Sequence, residues 1–198
     1  MKTLIFATGN AHKTEEVALL LKGLVQLRNL RELGFQGDLP EEQDTLEGNA
    51  LQKARYVYEL YGQDCFADDT GLEVEALNME PGVYSARYAG PHSNPGANTE
   101  KLLRKLAPHE NRKARFRTVI ALILNGREYL FEGVVEGEIL KEGRGEQGFG
   151  YDPVFLPKGH ARSFAEMSLE EKNAISHRFR AIQKMKAFLE TKLKAAQP

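Results

Sequence analysis

Arg115 to Ile139 reads RFRTVIALILNGREYLFEGVVEGEI, and this stretch decides the fold. From Arg115 to Leu124, Phe116, Thr118, Ile120, Leu122 and Leu124 recur on one face, the period of a strand. Asn125-Gly126 follows, the dipeptide that best tolerates the two positive φ angles of a tight hairpin turn. Glu128 to Ile139 then reads as the returning strand, and the long hairpin is expected to form the spine of a mixed sheet. Working outward, Thr3–Ala7 reads as a buried strand, Ala11–Lys22 as a helix with apolar positions at Val17, Leu20 and Leu21, and Val25–Leu30 as a second strand. Residues 31–44 are rich in glycine, proline and acids and read as a loop. Ala50–Tyr61 reads as a helix ended by Gly62, and Cys65–Ala67 as a strand that runs into an acidic turn before extended structure resumes at Leu72. The proline- and glycine-rich residues 78–98 read as a long surface excursion, and Thr99–Leu106 as a short helix. Ser168 and Glu171 form a capping box that opens a helical stretch reaching Leu193. The expected class is α/β: two lobes, residues 1–198 forming one domain, with a long central mixed sheet flanked by helices.

Bulk properties narrow the function classes. A chain of 198 residues is long enough to bury a sizeable core. The net charge of −1 supplies no general field for nucleic acid, so basic residues must act locally. The longest apolar run, Val119–Leu124, is far too short to span a membrane, and the apolar start is too short for a signal peptide. Cys65 is the one cysteine; it reads as a core residue, and a chain without an internal disulfide fits a reducing, cytoplasmic setting.

Four scattered segments carry chemistry. Thr8-Gly9-Asn10-Ala11-His12-Lys13 lies between a strand and a helix, where free backbone N–H groups and the lysine suit an anion, although an ordinary strand–helix turn with a solvated lysine has the same composition. Asp68-Asp69, beside Thr70-Gly71, offers hard oxygens of the kind Mg²⁺ takes, with Glu41-Glu42 as a second acidic source; on an unbroken strand the two aspartates point to opposite faces. Gly143-Arg144-Gly145-Glu146-Gln147-Gly148 matches the dinucleotide pattern G-x-G-x-x-G, but Pro153 and Pro157 forbid the helix that pattern needs. The glycines instead bring Phe149 forward, either as a face for a base or as a core plug. On one continuous helix Lys172 and His177 stand about 140° apart. Ser176 is a good N-cap, so a break near Asn173 and a new helix from His177 are expected.

Together these segments resemble the inosine triphosphate pyrophosphatases, the HAM1 or non-standard purine triphosphate pyrophosphatase family. The resemblance is carried by Thr8-Gly9-Asn10 with Lys13, Glu41 before Asn49-Ala50, Lys53-Ala54-Arg55 and Ala67-Asp68-Asp69-Thr70-Gly71-Leu72. It continues through Pro81-Gly82-Val83-Tyr84-Ser85-Ala86-Arg87-Tyr88, Gly148-Phe149-Gly150-Tyr151-Asp152-Pro153 and Glu171-Lys172-Asn173-Ala174-Ile175-Ser176-His177-Arg178. It implies a site in the cleft between two lobes, a homodimer, and hydrolysis of ITP, dITP or XTP to monophosphate and pyrophosphate with Mg²⁺. It assigns the phosphates to Thr8, Gly9, Asn10, Ala11, His12 and Lys13 with Lys53, and Mg²⁺ to Glu41 and Asp69. Asp69 is also the general base, with Thr70 touching substrate. The Phe149-Gly150-Tyr151 run, with Phe149 stacking on the purine, and Asp152, Lys172, His177 and Arg178 surround the base and its sugar-phosphate. Thr45-Leu46-Glu47-Gly48-Asn49 departs from the family's Thr-Phe-x-Glu-Asn and puts that helix start in question. A related nucleotide pyrophosphatase of other base preference is the nearest rival. A nucleotide-binding regulator without turnover is a second, and the carboxylates at 41, 68 and 69 argue against it.

Overall fold

The structure, a computed structural model, describes residues 2–9 and 11–194, and of residues 11, 12 and 16 the backbone alone. The hairpin is present as read: β4 (Lys113–Leu124) and β5 (Arg127–Ile139) meet at Asn125 and Gly126, with φ of 52° and 72°. Around it, β1 (Lys2–Phe6), β2 (Val25–Asn29), β3 (Cys65–Val74) and β6 (Phe155–Pro157) complete a six-stranded sheet in the order β2-β1-β3-β4-β5-β6. β1 pairs parallel with both β2 and β3, whereas β5 and β6 pair antiparallel, so the sheet is mixed. Parallel pairing of β1 with β2 requires a crossover, and α1 (Ala11–Leu20) supplies it.

The chain divides into two compact units. The first comprises Met1–Asp69, Val119–Glu132 and Arg180–Pro198; the second comprises Thr70–Thr118 and Gly133–Phe179. The core of the first unit gathers Leu4, Phe6, Phe66 and Ile120 against Ile182, Met185 and Leu189 of α5 (His177–Lys194), the stripe expected from helical spacing. Phe6 and Phe66 stack at 4.5 Å where β1 meets β3. The core of the second unit gathers Leu72, Val74, Leu102 and Leu106 with Phe116, Phe155 and Phe164.

Two helices matter for the site. α2 (Leu46–Tyr61) starts earlier than its apolar pattern indicates because Thr45 caps it, accepting from Gly48 N–H, and it ends at Gly62, whose φ of 61° needs no Cβ. The family departure at Gly48 is accommodated: a Cβ there stands 2.7 Å from Gln43 Cβ, so the missing side chain lets the preceding loop lie against the helix start. The buried face of α2 carries Asn49, Ala50, Lys53, Ala54 and Val57, and the four-residue step places Asn49 and Lys53 one above the other. α4 (Leu169–Ile175) opens with the expected capping box of Ser168 and Glu171, and Ser176 caps α5 by accepting from Phe179 N–H.

Three sequence expectations need correction. The acidic segment 68–71 is no turn; it lies inside the unbroken strand β3, because its sheet neighbours and buried cationic partners outweigh the poor strand propensity of Asp and Gly. α3 spans Pro95–Leu106, four residues longer at its start, because Asn94 caps it and Pro95 occupies the first turn. The excursion at 78–98 does not lie wholly on the surface: Tyr84 is exposed, but Tyr88 is buried with its hydroxyl donating to Glu80. Among the described residues no helix is long and apolar enough to cross a membrane.

Candidate active site

The first unit holds a cluster of lysines and carboxylates. Lys53 reaches from the inner face of α2 and places its ammonium 2.5 Å from Glu41 Oε1 and 3.3 Å from Asp69 Oδ1. Lys13, in the first turn of α1, bonds both oxygens of Asp68, at 3.2 and 3.0 Å. Strand alternation in β3 thus hands the adjacent aspartates to different lysines. Asn49 was not a predicted site residue, yet it sits inside the cluster: its side-chain oxygen accepts from Gln43 N–H at 2.9 Å in the loop that carries Glu41, and it lowers the Asp69 pKa. A fully buried asparagine one turn from Lys53 on the inner face of α2 is the feature that marks it.

The electrostatics follow from burial and crowding. Burial holds the Asp69 carboxyl above the ordinary aspartate range; Lys53 and Asn49 pull it down, and Glu41 and Asp68 push it up again. Burial alone lowers the Lys53 ammonium, but Asp69, Asp68 and Glu41 together outweigh it, so Lys53 titrates above its usual value. Both groups rise without contradiction, because one lysine faces three carboxylates while Asp69 faces two like charges in a desolvated place. Asp69 Oδ2 is buried and has no hydrogen-bond partner among the described residues. A buried carboxylate oxygen left open, with Glu41 held on the same lysine, fits a divalent cation. No group of three His, Cys, Asp or Glu side chains gathers for a metal among the described residues. Two protein carboxylates completed by water and phosphate oxygens is the usual manner of Mg²⁺. Of the phosphate turn, Thr8 and Gly9 stand between β1 and α1 as expected; Asn10 and the side chains of Ala11 and His12 lie outside the described residues.

The second unit holds the other predicted residues. Phe149 is 68% exposed, which excludes the core-plug reading. The Lys172 ammonium stands 4.6 Å from its ring centroid and 2.5 Å from Asp152 Oδ2, and both members of that ion pair are buried. Asp152 Oδ2 also accepts from Phe149 N–H at 2.9 Å, so one carboxylate orders the aromatic and the lysine together. Glycine is required beside it: Gly148 has a φ of 78°, and a Cβ there collides with the Asp152 carboxylate. The loop before Phe149 is sewn to the turn before α4, with Gln147 N–H donating to Ala165 O and Ser163 Oγ donating to Arg144 O. Tyr151 faces inward rather than outward; its hydroxyl donates to Ser85 O, and burial raises its pKa. Gly150 continues the turn with a φ of 64°. Thr70 shares a 2.7 Å hydrogen bond with Thr118. The expected helix break falls at Ser176, three residues beyond Asn173, and leaves His177 stacked on Phe116 at 4.8 Å with Arg178 half-buried beside it. A cavity of about 540 Å³ elsewhere in this unit, walled by Glu73, Arg115, Glu136 and His160 among others, contains none of these residues.

A mixed-sheet α/β chain with paired lysine–carboxylate contacts in one unit, and an exposed aromatic above a buried ion pair in the other, is a class defined by its side chains as much as by its strands. The Ham1 family pattern matches residues 4–188, and the chain belongs to that family. It is 56% identical over 191 residues to the dITP/XTP pyrophosphatase of Porphyromonas gingivalis, a match covering 96% of this chain and 98% of the relative. It is 50% identical over 182 residues to the dITP/XTP pyrophosphatase of Flavobacterium johnsoniae, covering 92% and 95%. The structure of the Staphylococcus aureus Ham1 protein matches with a TM-score of 0.91 at 39% identity, covering 96% of this chain and 100% of that one.

Proposed function

We propose that this protein hydrolyses deaminated purine nucleoside triphosphates, dITP, XTP and ITP, to the monophosphate and pyrophosphate, and so cleanses the nucleotide pool. The observation that carries the reading is the Lys53 ammonium held between Glu41 and Asp69, with an open Asp69 oxygen beside it. Relatives at 50–56% identity bear the name dITP/XTP pyrophosphatase.

The first unit takes the triphosphate. The turn from Thr8 to Lys13 offers N–H groups and a cation to the phosphates, and Lys53 adds a second cation. Asp69 acts as general base toward water, and burial raises its pKa, the direction that strengthens a base. Glu41 and Asp69 are the residues that would hold Mg²⁺. When bound, the ion neutralises phosphate oxygens and makes a nearby water more acidic.

The second unit takes the nucleoside, with Thr70 as a contact beside Asp69. Lys172 lies over one face of Phe149 and leaves the other for a purine, a stack of about 1–3 kcal/mol. His177 and Arg178 present donors to the 6-oxo group, where adenine carries an amino group; mismatched pairing of this kind discriminates by about 10⁴–10⁵. The protein works as a homodimer in the cytoplasm. The solitary cysteine supports that placement: Cys65 is buried, and burial pushes its thiol up to about 12, so it is inert.

The test is a panel of dITP, XTP, ITP, GTP and ATP with Mg²⁺, assayed for nucleoside monophosphate and pyrophosphate. Preferred turnover of the 6-oxo, non-guanine bases is expected. Release of orthophosphate instead, or equal turnover of ATP, overturns the reading.

A further inference from the structure

We propose that Lys53 is the resident counter-ion of the metal-binding carboxylates: in the substrate-free protein its ammonium holds Glu41 and Asp69 together, and a divalent ion takes them strongly only once a triphosphate draws Lys53 away. The inference rests on the reading of this cluster as a metal–triphosphate site.

The geometry points to it directly. The same Nζ contacts Glu41 Oε1 at 2.5 Å and Asp69 Oδ1 at 3.3 Å, and the Lys53 side chain is only 7% exposed. The two carboxylates offered to a cation are therefore already joined through one. An ammonium and a divalent ion on the same two carboxylates repel strongly at that separation. One of them has to move, and Lys53 is built to do so. Its ammonium sits on a flexible four-carbon stem with three donors, which suits transfer from carboxylate to phosphate.

Its surroundings differ in freedom. Asp69 is fixed on β3, whereas Glu41 sits in a loop with its side chain 40% exposed. Asp68 is engaged by both of its oxygens with Lys13. An arriving triphosphate supplies two things together: oxygen ligands that a Mg²⁺ site with two carboxylates lacks, and an anion to receive the displaced ammonium. Metal and triphosphate then raise each other's affinity by the same factor. The device keeps both carboxylates compensated without metal, and it disfavours a tightly held ion in the substrate-free site.

The test titrates Mn²⁺ into the substrate-free full chain, following free Mn²⁺ by electron paramagnetic resonance. Lys53→Met and Lys53→Gln are each expected to bind Mn²⁺ at least about tenfold more tightly than wild type, the least that removal of a unit charge a few ångströms away should give. Lys53→Arg keeps the charge and should stay at the wild-type level. Glu41→Gln in the Lys53→Met background should abolish the gain. The proposal is overturned if folded Lys53→Met or Lys53→Gln binds Mn²⁺ no more tightly than wild type. It is equally overturned if Lys53→Arg gains as much as they do, which assigns the effect to packing. No nucleotide is present, so failure of the functional reading shows separately, as absence of turnover on dITP and XTP by the wild type.

Discussion

Neutralising Asp152 should destabilise the fold through a charge left behind on Lys172. The two side chains are 4% and 10% exposed and lie 2.5 Å apart, so solvent screens the pair little. Removing one member of a buried pair strands the other charge at a cost of about 3–5 kcal/mol. Asp152→Asn isolates that effect, because asparagine keeps an oxygen for Phe149 N–H. At about 2–4 °C per kcal/mol for a chain of this size, Tm should fall by about 6–20 °C. Lys172→Met should cost a similar amount by stranding the carboxylate. The double variant holds no stranded charge and should cost much less than the sum of the singles, with a coupling above about 2 kcal/mol. Urea unfolding followed by far-UV circular dichroism, on all four proteins, measures it. Costs that add within about 0.5 kcal/mol refute the argument and make the pair a surface-like contact.

Other outcomes follow from the same geometry. Phe149→Ala, at an exposed position, should leave stability within about 0.5 kcal/mol of wild type, yet weaken dITP and ATP alike by about 5- to 150-fold, measured as Kd with a non-hydrolysed analogue. Arg178→Ala should lower kcat/KM for ITP far more than for ATP; equal losses make Arg178 a phosphate or structural residue. Arg162, with help from Ser168 N–H, pulls the Glu171 carboxyl down to about 2. A lowered folded pKa means the stabilisation is present above the unfolded value near ~4.3 and is lost as pH falls toward 2. Glu171→Gln should therefore flatten the stability profile in that window, and an unchanged acid limb argues against the Arg162 contact. Light scattering at micromolar concentration should return twice the 22.2 kDa of one chain; a mass near one chain rejects the dimer.

What was legible in the sequence was local. The Asn125-Gly126 turn, the Gly62 stop, the Ser168–Glu171 box and the Ser176 break each depend on a few neighbouring residues, and each is present in the structure. The misses have tertiary causes. Asp68-Asp69-Thr70-Gly71 has the composition of a turn, but pairing within the sheet and two lysines from distant helices keep it extended. Tyr88 is drawn inward by Glu80 and by Lys101 and Lys105 over its ring, contacts that spacing does not reveal. In the candidate site, Lys13, Asp69 and Phe149 were singled out by charge or by an odd aromatic in a glycine loop, and Lys53 only by the family resemblance. Asn49 did not, because its importance lies in tertiary neighbours: it accepts from Gln43 N–H and lowers the Asp69 pKa. The Lys53 bridge was equally hidden, since its two acids come from a loop and a strand, 12 and 16 residues away in the chain.

The central claim places the chemistry on Asp69, and one measurement bears on it most directly. Single-turnover hydrolysis of dITP with Mg²⁺ should be compared between wild type and Asp69→Asn, with circular dichroism confirming that both are folded. The account predicts a loss of at least about 10²–10⁴-fold in the rate of dIMP and pyrophosphate formation. A folded Asp69→Asn protein that forms both products at close to the wild-type rate contradicts it.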